Sequence, residues 1–128
     1  MKTWFASLCL FFSSLVACQS KVGEFKSLPV DDFAGIISNP DVQLLDVRTV
    51  AEYSEGHIPG SINLNVLDES FEAMADSVLQ KERPVALYCR SGKRSKKAAG
   101  ILSKKGFKVY ELDKGFQAWQ AADQKIEK

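Results

Sequence analysis

Pro84-Val85-Ala86-Leu87-Tyr88-Cys89-Arg90-Ser91-Gly92-Lys93-Arg94-Ser95, continued by Lys96-Lys97-Ala98-Ala99-Gly100-Ile101-Leu102, is the stretch that decides how this chain folds. The uninterrupted apolar run to Tyr88 predicts a strand buried on both faces, the kind found in parallel sheets. Beyond the loop, Ala98, Ile101 and Leu102 share one helical face. Cys89 therefore stands in a tight, basic loop between a strand and the N-terminus of a helix.

The same alternation extends to both sides. Asp31 or Asp32 can cap a short helix that carries Phe33, Ile36 and Ile37 on one face. A strand is predicted over Val42–Val47, and it ends on a charged segment at Asp46 and Arg48. Ala51-Glu52-Tyr53 suggests a brief helical turn closed by Gly56, Pro59 and Gly60, and Ser61–Leu64 a short strand. Phe71, Met74, Ala75, Val78 and Leu79 recur at helical spacing. Gly106 sits where the helix after Cys89 needs a left-handed residue to end. A strand over Phe107–Leu112 and a helix over Phe116–Ala122, bearing Trp119, complete the pattern. Strands alternating with helices imply a parallel sheet covered on both faces, with ligands bound beyond the carboxyl ends of the strands. Cys89 lies at one such end and Asp46 at another.

Composition sets the frame. The chain has 128 residues, 45% of them hydrophobic, enough for one domain with a real core. Its formal net charge is +1, so no overall field draws it to nucleic acid. Residues 90–97 hold Arg90, Lys93, Arg94, Lys96 and Lys97 without an acid, but no aromatic side chains interleave them for base stacking. Lys96, Lys97, Lys104 and Lys105 read mostly as a solvated helix face, the first two also placed to steer anions locally.

The N-terminus reads as a targeting segment. Lys2 precedes an apolar run from Trp4 to Val16, too short for an ordinary membrane span. It ends in Leu15-Val16-Ala17-Cys18, which resembles the lipobox of bacterial lipoprotein precursors. The division expected is a signal peptide over residues 1–17, a lipidated tether over 18–27 starting at Cys18, a globular domain over 28–122 and a polar tail over 123–128. The resemblance implies an exported protein, anchored to a membrane by lipid on Cys18, with its domain in the periplasm or at the cell surface. Cys9 leaves with the signal and Cys18 carries lipid, so Cys89 remains as the mature protein's one free thiol. A dithiol mechanism has no Cys-x-x-Cys pair to use. A zinc site lacks ligands, because His57 is the sole histidine, and its Gly-His-Ile-Pro-Gly setting reads as a structural turn.

The loop itself suggests chemistry. A free thiol has a pKa near about 8.5 and is mostly protonated at neutral pH. Cations and a helix N-terminus lower it, and successive backbone N–H groups make an anion nest that Ser91 and Gly92 can accommodate. Arg94, five positions after the cysteine, can reach back over the loop to an oxyanion. A nucleophile and an anion pocket thus occupy the same few residues.

Cys89-Arg90-Ser91-Gly92-Lys93-Arg94-Ser95 resembles the active-site loop of the single-domain rhodaneses, the thiosulfate sulfurtransferases. Asp46-Val47-Arg48, Glu52-Tyr53 and Gly56-His57-Ile58-Pro59-Gly60-Ser61-Ile62 resemble that family's first-half motif in order and spacing. Leu112-Asp113-Lys114-Gly115-Phe116 with Trp119 resembles its C-terminal Gly-Gly…Trp ending, with Lys114 in place of one glycine. The resemblance implies an α/β fold of three layers, α/β/α, around a central, mainly parallel five-stranded sheet. It implies transfer of a sulfane sulfur through a Cys89 persulfide, from thiosulfate or a related donor to a thiophilic acceptor such as cyanide or a thiol. Arg90, Ser91, Gly92, Lys93, Arg94 and Ser95 would bind the anionic donor, with Arg94 and Lys93 ahead of Arg90. Asp46 and Arg48 read as orienting the strand ends by hydrogen bonding, with support of the loop from behind a second role for Asp46. No metal or organic cofactor is implied, and a protein sulfur acceptor is a possible partner.

Two other readings use the same residues. A cysteine phosphatase or arsenate reductase on a related fold spaces its arginine six positions after the cysteine, where this chain has Ser95, and the sequence makes no acid apparent beside the loop to protonate a leaving group. A persulfide carrier or binding module would load sulfur on Cys89 but pass it only to a protein partner.

Overall fold

The computed structural model describes residues 24–128. The signal peptide, Cys9, Cys18 and most of the expected tether lie outside the described residues. Strands β1 (Lys26–Leu28), β2 (Gln43–Asp46), β3 (Ile62–Asn63), β4 (Val85–Tyr88) and β5 (Val109–Leu112) form one sheet in the order β1-β5-β4-β2-β3. Every pairing is parallel. Helices α1 (Val30–Ile37), α2 (Val50–Glu55), α3 (Phe71–Val78), α4 (Lys93–Lys104) and α5 (Gly115–Ala121) fill the connections. The expected fold class is met, and the sheet is wholly rather than mainly parallel.

β4 lies at the centre of the sheet and is buried throughout, as its unbroken apolar run requires. Its alternation divides the core. Val85, Leu87 and Cys89 pack with Leu45, Phe71, Ala75, Ala98, Leu102 and Val109 under α3 and α4. Ala86 and Tyr88 face the opposite layer with Phe33, Leu112, Phe116 and Trp119, under α1 and α5. Cys89 thus continues the strand's pleat onto the α4 side.

Local chemistry explains two of the helix ends. Thr49 and Glu52 form a reciprocal capping box at the start of α2, with Glu52 N–H to Thr49 Oγ1 at 3.2 Å and Thr49 N–H to Glu52 Oε1 at 3.1 Å. α4 ends in a Schellman turn: Phe107 N–H reaches Leu102 O and Gly106 N–H reaches Ser103 O, both at 3.1 Å, with Gly106 at φ +102°. α1 departs from expectation. Its N-cap is Pro29, and Asp31 and Asp32 lie inside the first turn, where their charge favours the positive end of the helix dipole instead of capping it.

Other boundaries move. Lys26 and Ser27, expected in the tether, pair with Tyr110 and Glu111 as an edge strand. The polar tail docks: Glu127 and His57 exchange backbone hydrogen bonds at 2.9 Å, and Trp119 Nε1 donates to Lys125 O at 2.9 Å. Val78, expected on the buried face of α3, is exposed, while Phe71 and Ala75 carry that contact.

Candidate active site

β4 delivers Cys89 to the edge of the core, where it is 1% exposed. The loop then turns sharply, with Gly92 at φ +104° as the N-cap of α4. A side chain there would be strained, and a Cβ would run into the Asp113 carbonyl. Gly115, at φ +70°, meets the same limit from the other side, because its Cβ would strike the Arg90 carbonyl. The β4–α4 and β5–α5 loops therefore touch backbone to backbone. Lys114, at φ −105°, is in ordinary space, so its replacement of a family glycine costs this turn nothing.

That contact sorts donors from acceptors. Phe116 N–H and Gln117 N–H, at the start of α5, hydrogen-bond the carbonyls of Cys89 (2.8 Å) and Arg90 (3.0 Å). With its carbonyls drawn toward α5, the loop turns N–H groups toward the sulfur: Gly92 N–H lies 3.1 Å from Cys89 Sγ. Burial pushes the thiol pKa up, but the Ser95 hydroxyl and the N–H groups of Ser95, Gly92 and Ser91 outweigh it, and the thiol falls below its ordinary value. This corrects the cause expected from sequence. The lowering rests first on hydrogen bonds, with Arg94 the cation coupled to the sulfur, while Arg90 and Lys93 extend into solvent.

Arg94 is the loop cation that senses the sulfur's charge. Its guanidinium is held by Glu52 in a bidentate pair, Nη1–Oε1 at 2.8 Å and Nη2–Oε2 at 2.9 Å. Hydrogen bonding to Arg94 pulls the Glu52 carboxyl down to about 2. The carboxylate that caps α2 thus also aims the arginine, a role that sequence reading left unassigned.

Asp46 and Arg48 sit at the carboxyl end of β2. Arg48 grips Asp46 through Nη2–Oδ2 at 2.7 Å and Nε–Oδ1 at 3.0 Å, and Nη2 also donates to Gly56 O at 2.7 Å. The guanidinium lies 4.3 Å from the centroid of the Phe116 ring. Asn63 Nδ2 ties the Asp46 and Arg48 carbonyls at 3.0 and 2.9 Å. A cleft of about 300 Å³ is walled by Arg48, Glu52, Arg90, Phe116 and Gln117, among others. His57 is a structural group: Nδ1 meets Tyr53 O at 2.8 Å, Nε2 meets Glu127 Oε2 at 3.2 Å, and its ring stacks on Tyr53 at 3.7 Å.

Two further residues were not legible as site components. Lys96, read as part of a solvated face, bridges Gly92 O (3.1 Å), Asp113 O (3.1 Å) and Asp113 Oδ1 (2.9 Å), stitching the two loops together. Glu111 is fully buried beside them and accepts from Ser95 Oγ at 2.5 Å. The signal for Glu111 was an acid inside a strand whose neighbours Val109 and Leu112 are core, in a sheet that buries both faces.

Known proteins resemble this chain in sequence and fold. The sequence profile of the rhodanese-like domain matches residues 29–122. The thiosulfate sulfurtransferase GlpE of Pseudoalteromonas translucida is 34% identical over 108 residues, covering 81% of this chain and 98% of that protein. Its counterpart in Shewanella oneidensis is 36% identical over 104 residues, covering 80% and 99%. The crystal structure of a rhodanese-related protein from Thermoplasma volcanium superposes with a TM-score of 0.71 at 26% identity, over 80% of this chain and 98% of that one. The thiol in its ring of amides, the parallel sheet that carries it and these likenesses lead to one assignment: the chain belongs to the rhodanese family and is a sulfurtransferase.

Proposed function

We propose that the protein takes the outer sulfur of thiosulfate, or of a related anionic donor, onto Cys89 and passes it to a thiophilic acceptor such as cyanide or a thiol. The observation that carries this reading is the ring of N–H groups around a buried sulfur, with Gly92 N–H at 3.1 Å from Sγ. The relatives named as thiosulfate sulfurtransferases support the choice of donor.

The Cys89 thiolate attacks the sulfane sulfur. A new S–S bond forms, the S–S bond of thiosulfate breaks, and sulfite departs with the electron pair. The persulfide's outer sulfur carries the negative charge and lies among the amides of Ser91, Gly92 and Ser95. Arg94, held by Glu52, and the exposed Arg90 and Lys93 draw in and hold the dianion. The acceptor then attacks the outer sulfur, and Cys89 leaves as the thiolate. Asp46 and Arg48 act indirectly, by bracing the neighbouring strand end.

Incubating the protein with thiosulfate is expected to add one sulfur atom by mass, and added cyanide is expected to yield thiocyanate. Cys89→Ala is expected to lose both. A protein that neither gains mass nor forms thiocyanate would sink the proposal, and mass gain without any small-molecule turnover would mark a carrier instead.

We also propose that the domain works outside the cytoplasm on a lipid at Cys18, a reading supported by Leu15-Val16-Ala17-Cys18. Metabolic labelling with a fatty acid should mark the protein and be lost in Cys18→Ser. An unlabelled, unprocessed N-terminus would overturn it.

A further inference from the structure

The described residues hold two fully buried carboxylates, Asp46 and Glu111, and they are satisfied differently. Asp46 is neutralised by the equally buried Arg48. Glu111 has no buried cation. The nearest, Lys96 Nζ, is 3.3 Å away on a side chain that is 42% exposed. Its short bonds come from hydroxyls, Ser27 Oγ to Oε1 and Ser95 Oγ to Oε2, each at 2.5 Å, the length of a charge-assisted O–H···O⁻ bond. Ser95 Oγ also lies 3.4 Å from Cys89 Sγ.

Proton counting makes this chain of contacts informative. A serine hydroxyl has one proton to donate. Directed at Glu111, it leaves Ser95 Oγ only as an acceptor, which suits a protonated thiol. Once the sulfur becomes a thiolate, Sγ and the Glu111 carboxylate compete for that proton. If the hydroxyl turns to Sγ, Oε2 keeps Lys96 Nζ and Oε1 keeps Ser27, so the carboxylate is not left unpaired.

We propose that Glu111 is a positioning residue that holds the Ser95 hydroxyl while the Cys89 sulfur is uncharged and yields it when charge builds there. This rests on reading Cys89 as the sulfur carrier. In the persulfide the inner sulfur is neutral and Ser95 stays on Glu111. As an acceptor attacks the outer sulfur, the S–S bond breaks, its electron pair settles on Sγ, and Ser95 turns to meet it. No proton leaves the site, and no outside oxidant or reductant is needed.

The other charges facing this group do not titrate with the thiol. Arg94 and Lys96 on α4 are raised, Glu52 on α2 is held at about 2, Asp113 beyond β5 is lowered, and burial pushes Tyr88 on β4 upward. Asp46 on β2 also lies on this side, in its ion pair with Arg48 at 2.7 Å.

The test is the pH profile of Cys89 alkylation by iodoacetamide in the full chain. Glu111→Gln keeps the shape but weakens the competitor, so the midpoint should fall by about one pH unit, roughly tenfold in thiolate fraction below the midpoint. Ser95→Ala should raise the midpoint, and Glu111→Gln placed in that background should shift it no further. Ser27→Ala, at the exposed edge strand, leaves Glu111 more dependent on Ser95 and should raise the midpoint. An unchanged or raised midpoint in Glu111→Gln would overturn the proposal, as would an equal drop with and without Ser95, which would mean direct charge repulsion. If Glu111→Gln does not fold, Ser27→Ala decides: no rise refutes the proposal. Alkylation needs no sulfur donor, so a failure of sulfur loading would strike the sulfur-transfer reading and leave this result standing.

Discussion

The carboxyl ends of β2 and β4 are neighbours, with Asp46 paired to Tyr88 in register, yet they are built on opposite plans. At the end of β2 a buried carboxylate meets a buried guanidinium, and further bonds reach Gly56 O and the Asp46 and Arg48 carbonyls. No buried side-chain polar atom among the described residues lacks a partner. At the end of β4 the carbonyls are drawn off to α5 and the N–H groups converge on one sulfur. The first end is closed and serves stability. The second offers its donors to whatever charge the sulfur carries, and serves chemistry. A strand end becomes a site when the backbone's donors and acceptors are separated, rather than when charge is accumulated there.

Substitutions should divide along the same line. The largest effect on stability is expected at β2. Asp46→Ala strands the buried Arg48 charge and should cost about 3–5 kcal/mol in urea unfolding. Cys89→Ala, expected to end sulfur transfer, should by contrast change the same unfolding curve by about 1 kcal/mol or less, since a buried thiol packs as a small apolar group. Equal losses at both positions would erase the distinction between the two ends.

Gly92→Ala should show what happens when the second plan is disturbed in its backbone. A left-handed φ and a Cβ directed at the Asp113 carbonyl predict a loss of about 1–3 kcal/mol. Sulfur loading should fall much further than stability, because the displaced Gly92 N–H is one of the sulfur's donors. Loading that merely follows the folded fraction would contradict that view.

Glu52 joins the two plans, since it both caps a helix and aims Arg94. Its folded pKa is depressed from 4.5 to about 2, so the stability it contributes is fully present above about 4.5 and is lost as pH falls through about 2. The gap in urea midpoint between the parent and Glu52→Gln should therefore be constant near neutrality and close across that acid window. A gap that persisted below it would point to packing rather than charge. The smallest effect is expected at an exposed ion pair. Glu127 is 52% exposed where it meets His57, and Glu127→Gln should change stability by about 1 kcal/mol or less, with sulfur transfer unaltered.

The sequence was most legible where local pattern and tertiary role coincide. The apolar run of β4, the amphipathic face of α4 and the glycine that ends it are read directly, and so is the loop between them. β1 escaped because Lys26-Ser27-Leu28 is too short to show an alternation, and one flank of an edge strand stays polar. The partnership of Glu52 with Arg94 spans 42 positions, and that of Ser27 with Glu111 spans 84, distances over which a single sequence carries no pairing signal. Lys96 was misread because its surface spacing is that of a solvated lysine. Only the fold brings the carbonyls of Gly92 and Asp113 within its reach.

β1 is a short tie at the sheet's flank, three residues paired to β5 alone, and short edge strands are the first elements to fray in native fluctuations. Each opening removes the Ser27 hydroxyl from Glu111 and lets water reach a carboxylate otherwise sealed from it. If Glu111 positions Ser95 as proposed, the reactivity of the central thiol would be clocked by breathing at the margin of the sheet, and whatever steadies or tugs that first strand would set how often the sulfur's surroundings are dry.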